Sequence, residues 1–318
     1  MTIKSNTFFS VNDFVNPANH LTPLVQLPDT LNPLAADNVR VFLKMQTFLP
    51  LMNIKCLPVY SMLSGAPDRG RDMVEASSGN TAFSMAILAP MMGFGRVKSL
   101  VAPDVNRQKI RALLIAGSEV EVHERPIPLA KDMGRAGVWQ NLNQYGNMDN
   151  VRGHQENTAP QIWEQLDGNI QLFGSSLGTT GSLTGVGNFL RARAPVKLIG
   201  IVGTEDSNIP GPRRLSGLNV VDIPWRDLVD DVVQVETTEA YRTSLELIRN
   251  GLLVGPSSGE NVIGTIKYLA KAKAEGELDA LRGPDGVINA VTLACDTYFP
   301  YIDEYFEILP ADLFPGTA

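Results

Sequence analysis

The sequence predicts an α/β fold of two domains, each a mostly parallel sheet flanked by helices, and three observations carry that expectation. Short apolar runs alternate with helix-length runs from Val39 to Leu293. Glycines fall just past the helical runs, at Gly93, Gly117 and Gly251, where a left-handed residue closes a helix. The alternation comes in two series, separated around residues 141–157, which points to two domains with a cleft between them.

Taken in order, Val39–Met45 reads as a strand and Met73–Ala76 as a short apolar strand that stops at Ser77-Ser78-Gly79-Asn80. A helix is expected over 81–92, a strand over 97–101, a helix over 106–116 and a strand over 120–122. In the second series, Ile170–Phe173 is the strand before a Gly/Ser/Thr loop, and a helix follows over 183–194. Lys197–Val202 is a strand, 239–249 and 261–274 are helices, and Val287–Leu293 is a buried strand. The segment 203–225, rich in Pro, Gly and Asn, reads as loop and as part of the cleft wall.

With 318 residues, 44% apolar and 19% charged, the chain can bury a large core. Its net charge is −7 and its basic residues are scattered, which argues against a nucleic-acid partner. Three histidines and two cysteines show no metal-ligand spacing, so no metal site is expected. Cys56 and Cys295 are too few for a disulfide framework and suggest a reducing compartment, and Cys56 itself reads as a small apolar filler. The polar start of the chain has no signal-peptide pattern, and the longest apolar stretch, 82–94, is too short to span a bilayer. No membrane association is expected, and the expected location is the cytoplasm.

In open α/β sheets, ligands bind at loops beyond the carboxyl ends of strands. Three such loops carry unusual chemistry. Gly178-Thr179-Thr180-Gly181-Ser182-Leu183-Thr184-Gly185 follows a strand and opens a helix. Its glycines let backbone N–H groups converge, its hydroxyls add donors, and a phosphate monoester is the natural guest. The spacing matches neither a P-loop nor G-x-G-x-x-G. The alternative is a glycine-rich turn with capping hydroxyls. Ser77-Ser78-Gly79-Asn80-Thr81 suits a substrate carboxylate, or is a plain N-cap cluster. In Gly255-Pro256-Ser257-Ser258-Gly259, one serine is expected to face inward and the other to cap the helix after it. Lys55 stands in an otherwise apolar stretch, where desolvation would lower its pKa as a Schiff-base lysine requires; taken alone, it reads better as a lysine snorkelling to water.

Together and in this order, these segments resemble the cysteine synthase/cystathionine β-synthase family of fold-type-II pyridoxal phosphate enzymes. Thr22–Leu27 is similar to the family's T-P-L-V-x-L, 49–55 to N-P-x-G-S-x-K, and 75–81 to E-x-S-S-G-N-T. Residues 178–185 resemble G-T-G-G-T-x-T-G, Gly255–Gly259 matches the loop that meets the pyridine nitrogen, and Asp296 with Tyr301 resembles the closing P-D-x-x-x-x-Y. The resemblance runs in sequence order over almost the whole chain.

The resemblance implies pyridoxal 5'-phosphate as cofactor, bound between a smaller domain (49–157) and a larger one (12–48 with 158–318). Lys55 would hold the cofactor and then act as base. Asn80 would bind its 3'-oxygen, Gly178, Thr179, Thr180, Gly181 and Ser182 its phosphate, and Ser257 its ring nitrogen. A serine there leaves that nitrogen largely unprotonated and favours chemistry at the β-carbon. Ser77, Ser78, Gly79, Thr81 and Gln144 would bind the substrate carboxylate. The implied reaction is β-replacement on O-acetyl- or O-phospho-L-serine through an aminoacrylate, with sulfide or another nucleophile as acceptor. The implied assembly is a homodimer.

Departures surround the site. Lys55-Cys56-Leu57 stands where the family has Lys-Asp-Arg, Asn53 where Ser or Thr is common, and Thr180 at a glycine of the phosphate loop. Pro210-Gly211-Pro212-Arg213-Arg214 replaces an uncharged loop that closes on substrate, and Arg213 with Arg214 suggests a bidentate carboxylate clamp for an amino-acid acceptor such as aspartate. The other reading of the pair is solvated loop charge. A serine/threonine deaminase and a non-catalytic relative are the competing functions; Thr22–Leu27 and Gln144 argue against the first, and Lys55, Asn80 and Ser257 together against the second.

Overall fold

Ten strands in two sheets organise the computed structural model, which describes residues 7–316. Residues 1–6, the first part of the polar N-terminal segment, and 317–318 lie outside the described residues. In chain order the strands are β1 (Leu24–Gln26), β2 (Val39–Met45), β3 (Met73–Ala76), β4 (Val97–Val101), β5 (Glu119–Val122), β6 (Gln140–Asn141), β7 (Leu172–Ser176), β8 (Lys197–Gly203), β9 (Asp231–Val235) and β10 (Ile288–Ala294).

The chain folds into two compact units. One comprises the described residues up to Leu21 together with Phe48–Asn143. Its sheet runs β5-β4-β3-β6 with every pair parallel. The helices Cys56–Gly65, Asn80–Met91, Arg107–Ile115 and Pro126–Arg135 connect or flank these strands. Cys56, Val59, Met62, Met73, Met85 and Leu88 pack into one core cluster.

The second unit comprises Thr22–Thr47 and Gln144 onward. Its sheet runs β1-β2-β10-β7-β8-β9, parallel except for the edge strand β1, which pairs antiparallel with β2. β2, β7, β8 and β10 are buried almost throughout, as parallel strands covered on both faces must be. The long helix Pro256–Ala274 packs across β7, β8, β9 and β10. Gly174 and Gly264 permit the close approach: a Cβ on Gly174 would lie 2.6 Å from Thr265 Oγ1, and one on Gly264 2.6 Å from Ile201. The expected boundary near residue 157 falls earlier, because the helix Met148–Gly153 packs against the helix Gly181–Arg191 of the second unit.

Both sheets reverse their strand order at one place. The chain steps from β3 outward to β4 and β5, then returns to place β6 on the other side of β3. It steps likewise from β7 to β8 and β9, then returns with β10 beside β7. The loops that leave β3 and β7 therefore lie at the switch points of their sheets, the positions where open α/β sheets bind ligands. Those loops are Ser77–Thr81 and Gly178–Gly181.

The α/β class and the mostly parallel sheets are as expected. Strands Val39–Met45, Met73–Ala76 and Val97–Val101 have the expected bounds. Several helices begin earlier than expected: Pro256 rather than Asn261, Gly181 rather than Leu183, and Thr237 rather than Glu239. Among the described residues, no helix is long and apolar enough to cross a membrane, and no cluster of His, Cys, Asp and Glu could hold a metal ion.

Candidate active site

In the first unit, Asn53 organises the lysine segment. Its Oδ1 accepts from the backbone N–H of Lys55 (2.9 Å) and Cys56 (3.2 Å) where the helix Cys56–Gly65 begins, and its Nδ2 donates to Leu51 O. Ser84, on the helix Asn80–Met91, donates its hydroxyl to the same Oδ1 at 3.2 Å. One buried amide thus ties the Lys55 backbone to the helix that opens with Asn80. Lys55 itself is half-buried. Met52, three residues before it, takes the left-handed conformation (φ 55°), at the position where the family's pattern carries glycine.

The neighbouring Cys56 is fully buried, and burial pushes its thiol pKa up to about 12. It is a neutral packing group, as the sequence suggested. The loop Ser77–Thr81 leaves β3 at the switch point, and Gly79 forms the N-cap of Asn80–Met91 without a side-chain cap. The N–H groups of a helix's first turn suit a carboxylate. Ser77 hydrogen-bonds locally, its Oγ accepting from Gly79 N at 3.3 Å.

In the second unit, Gly178–Gly181 links β7 to the helix Gly181–Arg191. Thr180 takes φ 67°, again a side chain in a conformation that favours glycine, and here too the family's pattern has glycine. Gly181 is backed by Asn150, whose Oδ1 would lie 2.0 Å from a Cβ at that position. Asn150 donates to Gln144 O (2.7 Å) and to Thr179 Oγ1 (3.0 Å), so it joins the candidate glutamine to the candidate phosphate loop. The hydroxyls of Thr180 and Thr184 are buried and have no hydrogen-bond partner. Two orphaned donors beside a helix N-terminus, each costing ~1–3 kcal/mol if left unmade, fit an anion with several acceptor oxygens. A phosphate monoester meets that description. Ser182 is otherwise engaged, its Oγ 3.2 Å from that of Ser175.

Ser257 lies in the first turn of the helix Pro256–Ala274 and is 6% exposed. Ser258 does not cap that helix, contrary to expectation: Gly255 is the N-cap, and the Ser258 hydroxyl accepts from Cys295 N at 2.9 Å. Gly255 N donates to Asp296 O at 2.9 Å, so the turn is held on the end of β10. One turn further on, Asn261 bridges the splayed ends of β7 and β10. Its Oδ1 accepts from Ser176 N (2.6 Å) and its Nδ2 donates to Leu293 O (2.8 Å). β7 and β10 pair only through Leu172 and Phe173, and the Asn261 amide replaces the ladder beyond.

Arg213 and Arg214 do not converge. Arg213 lies over the Tyr145 ring at 4.8 Å from its centroid and donates to Tyr145 Oη at 2.8 Å. Arg214 donates to Ser207 O at 2.9 Å and helps hold the Glu205 carboxyl below its usual range, after hydrogen bonds from Ser216. The clamp expected from the sequence is not formed: each guanidinium meets its own partner, Arg213 the Tyr145 hydroxyl and Arg214 the Ser207 carbonyl. Their loop nonetheless abuts the phosphate loop: Arg213 N donates to Leu177 O at 2.9 Å, and Gly211 O would sit 2.8 Å from a Cβ on Gly178.

Within each unit, supporting amides link the expected segments: Asn53 joins the Lys55 backbone to the helix that opens with Asn80, and Asn150 joins Gln144 to Thr179. Asn150, Asn261 and Tyr145 escaped sequence reasoning. Asn261 left a signal, as a polar residue four positions after Ser257 on a helix face otherwise made to pack against a sheet.

A family model described as pyridoxal-phosphate dependent enzyme matches residues 15–280. Cysteine synthase B of Escherichia coli strain K12 is 34% identical over 289 residues, 86% of this chain and 89% of that protein. Cystathionine beta-synthase of Apis mellifera is 26% identical over 310 residues, 87% of this chain and 60% of that protein. Among solved structures, an O-ureido-L-serine synthase superposes with a TM-score of 0.78 at 23% identity, over 96% of each chain. Cysteine synthase from Entamoeba histolytica superposes with a TM-score of 0.80 at 20% identity, over 98% of this chain and 95% of that one. At these identities the superpositions bear on the fold alone.

Proposed function

The chain belongs to the pyridoxal-phosphate dependent enzymes, and from that premise we propose that it catalyses β-replacement on an O-activated L-serine, O-acetyl- or O-phospho-L-serine. The observation that carries the reading is the seating of Ser257. A neutral hydroxyl, not a carboxylate, occupies the first turn of a helix pinned to the ends of β7 and β10 at a sheet's switch point. Opposite a pyridine nitrogen, a hydroxyl does not enforce protonation, and a less electron-hungry ring favours loss and addition at the β-carbon over transamination.

The bound cofactor supplies an electron sink at the substrate α-carbon. Lys55 would hold it through Nζ; the substrate's amine would take over that bond, and the Nζ amine so freed would accept the α-proton. Asn80 meets the cofactor's 3'-oxygen. Gly178, Thr179, Thr180, Gly181 and Ser182 hold its phosphate, to which Thr184 contributes its orphaned hydroxyl. Ser77, Ser78, Gly79 and Thr81 offer N–H and hydroxyl donors to the substrate carboxylate, and Gln144 adds its amide.

Sulfide or a thiol is the preferred acceptor in this reading. The amino-acid amine comes second, because Arg213 is engaged by Tyr145 and Arg214 by Ser207, so the two guanidiniums are not paired on one acceptor as a shared clamp would be. A homodimer in the cytoplasm is the working form we propose, on the resemblance described above and on two cysteines that form no disulfide.

Absorbance spectroscopy tests the reading. Protein supplied with pyridoxal phosphate is expected to show a visible band that is lost in Lys55→Ala and replaced when O-acetyl- or O-phospho-L-serine is added. The acceptor is the compound whose addition restores the original band. Absence of any band in the wild-type protein would sink the proposal, and keto-acid release without an acceptor would favour the deaminase.

A further inference from the structure

The closing motif, Asp296 with Tyr301, has no role in the chemistry above, yet it stands directly behind the turn that carries Ser257. Tyr301 donates its hydroxyl to Asp296 Oδ2 at 2.6 Å, and both residues are buried. A Cβ on Gly255 would lie 2.5 Å from Asp296 Oδ1 and 3.1 Å from the Tyr301 ring. Gly255 N in turn donates to the Asp296 backbone carbonyl at 2.9 Å. The turn therefore rests against the pair with no room for a side chain between them.

A second buried phenol supports the other side of the same turn. Tyr305 Oη and Ser244 Oγ are 2.5 Å apart, and Ser244 donates to Val254 O at 2.8 Å, one residue before Gly255. Tyr241 hydrogen-bonds Glu304 and packs edge-on against Tyr305, with ring centroids 5.0 Å apart. Tyr241, Tyr301 and Tyr305 share one apolar cluster with Leu309.

We propose that Asp296 and Tyr301 are positioning residues for Ser257: the pair fixes the turn Val254–Ser257 and so sets where the Ser257 hydroxyl stands. The inference rests on the reading of Ser257 given under the proposed function. Four attachments reach the turn from outside it: Asp296 O to Gly255 N, Ser258 Oγ to Cys295 N, Ser244 Oγ to Val254 O, and the Tyr301–Asp296 surface beneath Gly255. Of these, only the last depends on side chains that the motif itself supplies. Burial raises the Tyr301 pKa well above its usual value, and the Asp296 carboxyl adds to the shift, so the phenol remains a donor at every working pH. A hydroxyl about 1 Å out of place loses its partner's nitrogen, and misplacement on that scale can cost about 100-fold in rate.

Two measurements on Tyr301→Phe test the proposal, with Ser257→Ala as reference. The first is amide hydrogen exchange at 254–258 in the protein as purified. Faster exchange there than in the wild type is expected, and it does not depend on bound cofactor. The second is the pH dependence of the visible band with pyridoxal phosphate bound. Tyr301→Phe is expected to move it in the direction in which Ser257→Ala moves it, and the double variant no further than Ser257→Ala alone. A structural role would lower the melting temperature and leave the band's pH response as in the wild type.

Unchanged exchange at 254–258 would overturn the proposal, and so would additive effects on the band. If the wild-type protein shows no band, the proposed function fails, the role assigned to Ser257 fails with it, and the exchange data alone report whether the pair seats the turn. Should Tyr301→Phe not fold, Asp296→Ala, which removes the acceptor of the same hydrogen bond, takes its place in both measurements.

Discussion

Asn53 Oδ1 sits 2.9 Å from the backbone nitrogen of Lys55, and that single acceptor fixes where the lysine leaves its segment. Asn53→Ala removes the acceptor of the Lys55 and Cys56 N–H groups and leaves the Ser84 hydroxyl without this partner. A loss of about 1–2 kcal/mol in unfolding free energy is expected by denaturant titration. Asn53→Ser, which restores an acceptor oxygen, should recover most of it. Equal losses in both variants would mean that the amide acts in some other way.

Asn261 supports two strand ends at once. Asn261→Leu keeps the volume but strands the Ser176 N–H and the Leu293 carbonyl in the protein interior. The expected cost is about 2–4 kcal/mol. Cofactor affinity should fall as well, because the ends of β7 and β10 carry the phosphate loop and the support of the Ser257 turn. A melting temperature within a degree of the wild type would contradict this account.

Thr180 pulls stability and binding in opposite directions. Its φ of 67° suits glycine, so Thr180→Gly is expected to stabilise the cofactor-free protein by up to about 1 kcal/mol. The same change deletes an orphaned hydroxyl donor, and pyridoxal phosphate should bind roughly three- to tenfold more weakly. Melting curves and a cofactor titration on one variant check both signs.

Lys44 gives the fold a pH signature. It is fully buried on β2, and its Nζ donates to Thr22 O (2.6 Å), Gln161 Oε1 (2.8 Å) and Gln165 Oε1 (2.8 Å). Burial lowers its pKa to about 7, against about 10.4 in an unfolded chain, while the three neutral acceptors favour the charged form and moderate the shift. A folded-state pKa below the unfolded one means that the unfolded chain binds the extra proton. This site's contribution therefore makes stability rise between about pH 7 and pH 10, by at most about 1.4 kcal/mol per unit, and stay level below pH 7. Lys44→Met should flatten that rise. Identical pH profiles of the two proteins between 7 and 10 would refute the assignment.

The two cysteines should separate by reactivity. Cys56 is fully buried with its pKa pushed up to about 12, whereas Cys295 is partly exposed. Under native conditions a thiol-alkylating reagent is expected to modify Cys295 and leave Cys56 untouched until the protein unfolds. Mass spectrometry of the labelled peptides decides it.

The alternation of apolar runs made the sheets legible because strands buried on both faces are mostly apolar, as β2, β8 and β10 are. β9 (DVVQV) and β6, only Gln140–Asn141, were not legible: the first is half-buried and the second is two polar residues whose pairing is decided by Asp72 and Met73. Helices start earlier than their apolar periodicity indicates because Gly181, Pro256 and Ser257 read as loop, although glycine or proline at a first turn is compatible with a helix. At the site, the motifs gave the residues and not their supports. Asn150 and Asn261 act across 29 and 32 or more positions of sequence, and a partner that distant leaves no local pattern. The arginine pair shows the converse: adjacency in sequence suggested one clamp, while each guanidinium has its own partner, Tyr145 or Ser207, 68 or 7 positions away.

The parallel pairing of β2 with β10 brings Val39–Met45 against Ile288–Ala294. On a ribosome β10 emerges after all the other strands, so β2 has only β1 beside it through most of synthesis. The smaller unit's sheet is encoded within one uninterrupted stretch, β3 to β6, and can close while translation is under way. Nascent chains stalled between residues 150 and 280 should therefore hold a protease-resistant small unit beside an open large one.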